Sequence, residues 1–159
     1  MVSIVHGDVL KANAQIIAHQ VNCQGVMGSG VAACVRKKLP VVFELYRNLC
    51  RSRSGATASL LGKNQYLDCA LDGRVVTLVN MFAQDRYGDP TVTRYTDYDA
   101  FRECCRRLKT NALTQYGKSV SIAMPYLIGC GRGGGDWAVI LSIVEQELGD
   151  LNVTFYRVD

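Results

Sequence analysis

The chain has 159 residues, of which 48% are hydrophobic and 20% are charged, and its formal net charge is +4. This apolar content excludes a disordered chain and is sufficient for one packed core. No apolar run approaches the roughly 18 residues that cross a bilayer, and the first residues lack a basic region followed by a long apolar one. We therefore expect one domain over residues 1–159, located in the cytoplasm and not associated with a membrane.

The charged residues and the cysteines argue against several kinds of site. Basic side chains are scattered along the chain, which favours solvated helix surfaces over an element that binds nucleic acid. The seven cysteines are odd in number and no two have the CxxC spacing. Because disulfide frameworks and zinc sites need paired or clustered cysteines, we expect reduced thiols, no metal and no cofactor.

The apolar patterns predict strands and helices that alternate along the chain. The predicted elements are, in chain order, strands at 2–5 and 15–21, helices from Gly30 to Leu39 and from Pro40 onward, strands at 60–69 and 74–82, a helix capped by Thr96 and ending near Tyr116, a strand at 119–124, a helix between Asp136 and Gly149, and a strand at 152–158. This alternation predicts an α/β fold in which helices cover both faces of a mixed, largely parallel sheet. Ligands of such folds bind beyond the carboxyl ends of the strands.

The stretch from His19 to Leu39 joins the end of a strand to a glycine-rich turn and then to a helix. We name the turn from Gly25 to Gly30 the first glycine loop. Its glycines permit positive φ and leave no side chain between the backbone and a ligand. Because the N–H groups of the following helix begin at this loop, the stretch predicts an anion site, most often one for phosphate.

A second glycine-rich turn, GCGRGGGDW, runs from Gly129 to Trp137 between another apolar strand and another helix. We name its residues 129–135 the second glycine loop. Two such loops at one sheet edge predict a ligand with a diphosphate. Cys23, just before the first glycine loop, and Cys130, in the second, are candidate nucleophiles, but neither has a histidine close to it in sequence.

Four segments occur in an informative order: Gly7-Asp8-Val9 after the first strand, Asn22 after the second, residues 26–32, and residues 125–137. In content and order they resemble the macrodomain family of ADP-ribose-binding proteins. The resemblance is greatest to two groups, the terminal ADP-ribose glycohydrolases with the DNA-ADP-ribose-removing antitoxins, and the ADP-ribose-1''-phosphate phosphatases. It implies a three-layer α/β/α macrodomain with a central mixed sheet and an ADP-ribose cleft.

The resemblance also implies roles for individual residues. Asp8 and the Val9 N–H would bind adenine, Tyr156 would pack on it, and Asn22 would hold the distal ribose. The residues expected to bind the two phosphates are Gly28, Ser29, Gly30 and Val31 in the first segment and Ile128, Gly129, Cys130, Gly131, Arg132 and Gly133 in the second.

The residues that match the catalytic positions of the two groups point to different conclusions about catalysis. The lysine of the glycohydrolase group is replaced by Gln84, and no acid occurs in the second glycine loop before Asp136. The phosphatase group shares a histidine that His19 matches, so His19 and Asn22 are the candidate catalytic residues. An alternative is that His19 is a neutral histidine within the buried strand. Asp85 and Asp89 are candidate acids, but their interpretation as surface residues is favoured.

These observations leave two main hypotheses. The first is a metal-independent hydrolase of an ADP-ribose derivative, with phosphate-ester hydrolysis at the 1'' position ahead of glycohydrolysis. The second is a non-catalytic reader of ADP-ribose or of ADP-ribosylated protein or nucleic acid. A third, weaker hypothesis is direct binding of nucleic acid. The polar helix faces give no reason to expect more than a monomer.

Overall fold

The computed structural model describes residues 2–158, which build a six-stranded sheet. The strands are β1 (Val2–His6), β2 (Ile16–Val21), β3 (Asn64–Leu71), β4 (Arg74–Phe82), β5 (Ser121–Pro125) and β6 (Asn152–Arg157). Their order is β1-β6-β5-β2-β4-β3, and every neighbouring pair is parallel except the β3–β4 hairpin. The sheet is therefore mixed and largely parallel, as predicted.

Helices cover both faces of this sheet. They are α1 (Gly30–Lys38), α2 (Pro40–Ser52), α3 (Tyr98–Tyr116) and α4 (Trp137–Leu148), together with short 3₁₀ turns at Val9–Lys11 and Thr57–Leu60. One core lies between the sheet and α3 with α4, and a second lies between the sheet and α1 with α2. The predicted three-layer α/β/α arrangement is confirmed.

Strand β4 shows why the layers form. Leu78 and Phe82 point into the α1–α2 core, whereas Val79 and Met81 point into the α3–α4 core, and all four are fully buried. A strand that is apolar on both sides removes the most surface from water when a helical layer covers each face. This explains why β4 lies inside the sheet, between β2 and β3, and not at an edge.

Two local predictions were wrong. Asp97, not Thr96, caps α3, because the Asp97 Oδ1 accepts a hydrogen bond from the Ala100 N–H at 3.0 Å. Thr96 is instead turned inward and buried. The strand predicted from residue 60 begins at Asn64, because Thr57–Leu60 forms a 3₁₀ turn and Gly62 has a φ of +83°.

The parallel strands bring their carboxyl ends to one edge of the sheet. Strand β2 leads there into the first glycine loop, β5 leads toward the second, and β4 leads into the connection at residues 83–97. Three segments that are distant in sequence therefore meet at one place. No helix in residues 2–158 combines the length and the apolar character needed to cross a membrane.

Candidate functional site

A cavity of about 290 Å³ lies at this edge of the sheet. It brings together the two glycine loops that the sequence predicted to be anion sites. Four segments supply its walls: Gln20, Val21, Asn22 and Val26; Gly28, Ser29, Gly30 and Ala32; Gln84 and Tyr87; and Gly129, Gly131, Arg132 and Gly133. The cavity is thus built from the ends of β2 and β4, the start of α1 and the second glycine loop.

The first glycine loop presents the positive end of α1 to the cavity. Ser29 occupies the N-cap position in an extended conformation, but its hydroxyl makes no capping hydrogen bond, and the first turn of α1 contains no acidic residue. Gly30 has a φ of +59°. The N–H groups of this first turn have no acceptor inside the helix, so they and the helix dipole favour an anion in the cavity.

The second glycine loop is folded by its own backbone hydrogen bonds. The Gly135 N–H donates to the Gly129 carbonyl at 2.9 Å, and the Gly134 N–H donates to the Gly131 carbonyl at 3.1 Å. Gly129 has a φ of +75°, a backbone conformation that favours glycine. A methyl group at Gly133 would lie 2.6 Å from the Gly129 carbonyl oxygen. This tight turn leaves backbone, rather than side chain, facing the cavity from the second side.

The side chains on the cavity wall are neutral except for Arg132. No Asp, Glu, Lys or His is among the described residues that line it. Residues 2–158 contain no group of three or more His, Cys, Asp or Glu side chains that could hold a metal ion. The wall therefore offers N–H donors, amide groups and one guanidinium, a set suited to an anionic ligand with several hydroxyl groups.

Known proteins resemble the chain over much of its length. It is 29% identical over 160 residues to a DNA ADP-ribosyl glycohydrolase of Mycobacterium tuberculosis, a match that covers 98% of this chain and 42% of that protein. It is 34% identical over 94 residues to an ADP-ribose 1''-phosphate phosphatase of Meyerozyma guilliermondii, covering 53% of this chain and 54% of that protein. The chain thus spans only 42% of the length of the mycobacterial relative. No protein-family model matches it.

A solved structure provides the decisive comparison. The macrodomain of Mycobacterium tuberculosis DarG has a TM-score of 0.72 and 28% identity, and the match covers 98% of this chain and 97% of that one. The chain has the macrodomain fold. The fold predicted from the sequence and the resemblance to macrodomains are therefore confirmed, and the cavity lies at the edge of the sheet where that fold predicts the ligand.

Asn22 lines the cavity of the macrodomain, but most of its polar capacity is already used. Its Oδ1 accepts a hydrogen bond from the Gln24 N–H at 3.0 Å. The single proton of the Tyr46 hydroxyl is shared between this Oδ1, at 2.8 Å, and the Asn22 main-chain carbonyl, at 2.7 Å. The Asn22 Nδ2 donates to the Val26 carbonyl at 2.8 Å. An amide nitrogen carries two protons, so one donor of Asn22 remains for a ligand hydroxyl. The residue shapes the turn after β2 and still fits the predicted contact with a ribose.

The structure requires a correction for His19. Its side chain is 2% exposed and is not part of the cavity wall. The Nε2–H donates to Asn80 Oδ1 at 2.6 Å, and the Nδ1 atom is buried with no hydrogen-bond partner. Burial lowers the pKa of the imidazole to about 4, and the bond to Asn80 offsets only part of this effect. A neutral ring sealed inside the α1–α2 side of the sheet cannot protonate a leaving group at neutral pH.

The buried His19 makes stability depend on pH. Its folded pKa of about 4 lies below the ordinary value of 6.5, so between these two values the unfolded chain binds a proton that the folded chain does not. The free energy of unfolding is therefore expected to fall as the pH drops from about 6.5 to 4, by about 3 kcal/mol in total. Urea unfolding of the wild type and of His19→Gln across this range measures the effect. Parallel pH profiles for the two proteins would contradict it.

The predicted adenine-binding residues lie outside the cavity wall. Asp8 Oδ1 accepts a hydrogen bond from the Leu10 N–H at 3.0 Å and so caps the first 3₁₀ turn, while Val9 is buried. The half-buried Tyr156 ring packs against Gly7. These residues are neighbours at the ends of β1 and β6, and adenine binding stays a prediction.

Val31, Ile128 and Cys130, three other predicted phosphate-binding residues, lie beside the cavity rather than on its wall. Ile128 is buried, and the Cys130 thiol donates to the Ile128 carbonyl at 3.4 Å. Burial raises the pKa of Cys130 to about 11 and that of Cys23 to about 12. Both thiols are protonated at neutral pH, which does not favour them as nucleophiles.

The carboxylates of the candidate acids Asp85 and Asp89, and that of Asp136, accept hydrogen bonds that stabilise local structure. Asp85 Oδ1 accepts hydrogen bonds from Gln24 Nε2 at 2.9 Å and from the Thr57 hydroxyl at 2.8 Å. Asp89 binds the N–H and hydroxyl of Thr91, and these bonds lower its pKa. Asp136 caps α4. None of these three carboxylates is part of the cavity wall.

Sequence reasoning missed Gln20 and Tyr87, which both line the cavity. Gln20 Nε2 donates to Gln84 Oε1 and to Thr96 Oγ1, each at 2.8 Å. One signal could have identified Gln20, because it is an amide near the carboxyl end of a mostly apolar strand. Tyr87 is 52% exposed within a polar connection, and no feature of its sequence surroundings distinguishes it.

Proposed function

We propose that this macrodomain binds ADP-ribose and hydrolyses an ADP-ribose derivative. The observation that carries the proposal is the pairing of the α1 N-terminus with the second glycine loop across one cavity. Two sets of backbone N–H groups on opposite walls suit the two phosphates of a diphosphate. Asn22 retains one donor for a hydroxyl of the distal ribose.

The cavity volume of about 290 Å³ is at the lower end of the range for small-molecule sites, about 300–1,000 Å³. It suits the diphosphate and the distal ribose, and we propose that the adenosine lies along the surface toward Asp8 and Tyr156. Asp8 would then accept a hydrogen bond from the adenine amino group, as the resemblance implies.

For the reaction, we propose hydrolysis of the phosphate ester of ADP-ribose 1''-phosphate ahead of glycohydrolysis. One relative is named for the phosphatase activity and another for glycohydrolysis. Arg132 is the charged side chain on the wall and can stabilise a third anionic group. Gln84 occupies the wall where the resemblance implies a glycohydrolase lysine, and an amide does not act as that nucleophile. Catalysis would then rest on positioning and charge stabilisation rather than on a metal.

A specific observation favours a second candidate function, that of a reader without catalysis. The described wall has no carboxylate, lysine or histidine, so it lacks the usual general acids and bases. A reader would bind ADP-ribose itself or an ADP-ribosylated protein or nucleic acid. In either case we propose a monomer, and we propose a cytoplasmic location because all seven cysteines are free thiols.

Calorimetric titration with ADP-ribose, ADP and AMP tests the binding. We expect a Kd for ADP-ribose on the order of micromolar, and an increase of about tenfold in Asp8→Ala, which removes the acceptor for adenine. Asp8→Asn keeps an acceptor oxygen and the cap of the 3₁₀ turn, so it should bind more tightly than Asp8→Ala. A folded wild type that does not bind ADP-ribose would contradict the proposal.

Incubation with ADP-ribose 1''-phosphate and with ADP-ribosylated protein and DNA separates the two functions. Release of phosphate from the first substrate, abolished with the Gly30→Glu variant, is the expected result. Binding without turnover of any of these substrates would favour the reader.

A further inference from the structure

Thr96 lies directly beneath the second glycine loop and is 1% exposed. Its hydroxyl donates a hydrogen bond to the Gly129 carbonyl at 2.7 Å, and its N–H donates to the Gly133 carbonyl at 2.9 Å. The Tyr95 N–H donates to that same Gly133 carbonyl at 2.8 Å. One residue therefore holds the loop at two of its carbonyl groups.

The Thr96 hydroxyl is also the end of a chain of hydrogen bonds across the cavity floor. Gln84 Nε2 donates to the Arg86 carbonyl at 2.9 Å, and Gln20 Nε2 donates both to Gln84 Oε1 and to Thr96 Oγ1. Because a hydroxyl has a single proton, the bond of Thr96 to Gly129 leaves it as the acceptor for Gln20. The direction of every bond is thus fixed.

The loop packs on this chain of bonds without space for displacement. A methyl group at Gly129 would lie 2.8 Å from Gln20 Oε1, and one at Gly133 would overlap the Thr96 hydroxyl oxygen. A loop of glycines has little stiffness of its own. Its shape therefore depends on the groups beneath it as well as on its own backbone hydrogen bonds.

We infer that Thr96 is a positioning residue that directs the N–H groups of the second glycine loop into the cavity. Its hydroxyl joins the connection after β4 and the end of β2 to the loop. The consequence for ligand affinity rests on the proposed binding of ADP-ribose, whereas the control of loop shape does not.

The test uses three variants. Thr96→Val keeps the shape of the side chain and removes the bonds of its hydroxyl, and Thr96→Ser keeps the hydroxyl. Thr77→Val is the matched control, because Thr77 is also 1% exposed and its hydroxyl bonds Asp68 and Tyr116 at 2.7 and 2.6 Å. Thr77 pairs with Ile16 at the start of β2, at the other end of the sheet.

Titration with ADP-ribose is the first measurement. We expect the Kd to rise about tenfold in Thr96→Val, the effect of one or two lost polar contacts, and to stay within about twofold in Thr96→Ser and Thr77→Val. Equal affinities for Thr96→Val and Thr77→Val would overturn the inference that the loop needs Thr96 to bind the ligand.

The second measurement is amide hydrogen exchange of the ligand-free protein, followed by NMR. The Gly135 N–H bonds the same Gly129 carbonyl as Thr96, so it should exchange about tenfold faster in Thr96→Val than in Thr77→Val. Equal exchange in these two variants would overturn the control of loop shape. A wild type that does not bind ADP-ribose would instead contradict the proposed function, and the exchange data would still decide the role of Thr96.

Discussion

The Gly30→Glu variant is expected to lose at least about a hundredfold in affinity for ADP-ribose while remaining folded. Gly30 lines the cavity at the first turn of α1, and a methyl group there would meet no atom within 4 Å. The new side chain therefore enters open space and places a carboxylate at the positive end of the helix. Two like charges about 4 Å apart at the protein surface repel by about 4 kcal/mol, which exceeds the roughly 2.7 kcal/mol of a hundredfold change.

Gly30→Gln is the matched control for this prediction. Both variants place a side chain at a φ of +59°, so both lose about 1–2 kcal/mol of folding free energy from the left-handed backbone. Only the charge differs between them. Calorimetry with ADP-ribose should give clearly tighter binding for Gly30→Gln, and circular dichroism checks that both are folded. Equally weak binding would mean that bulk, not charge, blocks the cavity, and wild-type affinity of Gly30→Glu would exclude the α1 N-terminus as a phosphate site.

Features with a local signal could be predicted from the sequence. The apolar run of β4 indicated a strand buried on both faces, and the glycines between strand and helix indicated both loops of the cavity. The alternative interpretation of His19, as a neutral histidine in the buried strand, also had a local basis. The alternation of side chains along a strand places His19 on the same face as Ile17 and Val21. The register that sets Asn80 opposite His19 joins residues 61 positions apart, and no local pattern encodes such a pairing.

Thr96 illustrates the limit of local reasoning. Threonine and aspartate both cap helices well, and Thr96 and Asp97 are adjacent at the start of α3. Local propensity favours neither strongly, and the choice depends on the Gly129 and Gly133 carbonyls, which lie more than 30 residues away and accept hydrogen bonds from Thr96. The chain of bonds through Gln20 has the same origin. Such polar contacts satisfy groups buried by the fold, so they follow from the tertiary structure.

Gly133→Ala is expected to destabilise the protein by about 2–4 kcal/mol, the range of overpacking combined with broken buried hydrogen bonds. The added methyl group would lie 2.6 Å from the Gly129 carbonyl oxygen and 3.1 Å from Gln20 Nε2, and would overlap the Thr96 hydroxyl oxygen. The nearest of these atoms belong to backbone or to a side chain already held by hydrogen bonds at 2.7 and 2.8 Å. The loop must therefore move, and binding of ADP-ribose should weaken with it.

Gly131→Ala is the control in the same loop, because a methyl group there meets no atom within 4 Å and Gly131 has no positive φ. Its free energy of unfolding should stay within about 0.5 kcal/mol of the wild type. Urea unfolding of both variants measures the difference directly. If Gly133→Ala proved as stable as Gly131→Ala, the loop would be free to lift from Thr96. The conclusion that the second glycine loop packs tightly on Thr96 would then have to be abandoned. Both the proposed phosphate site and the role of Thr96 depend on this conclusion.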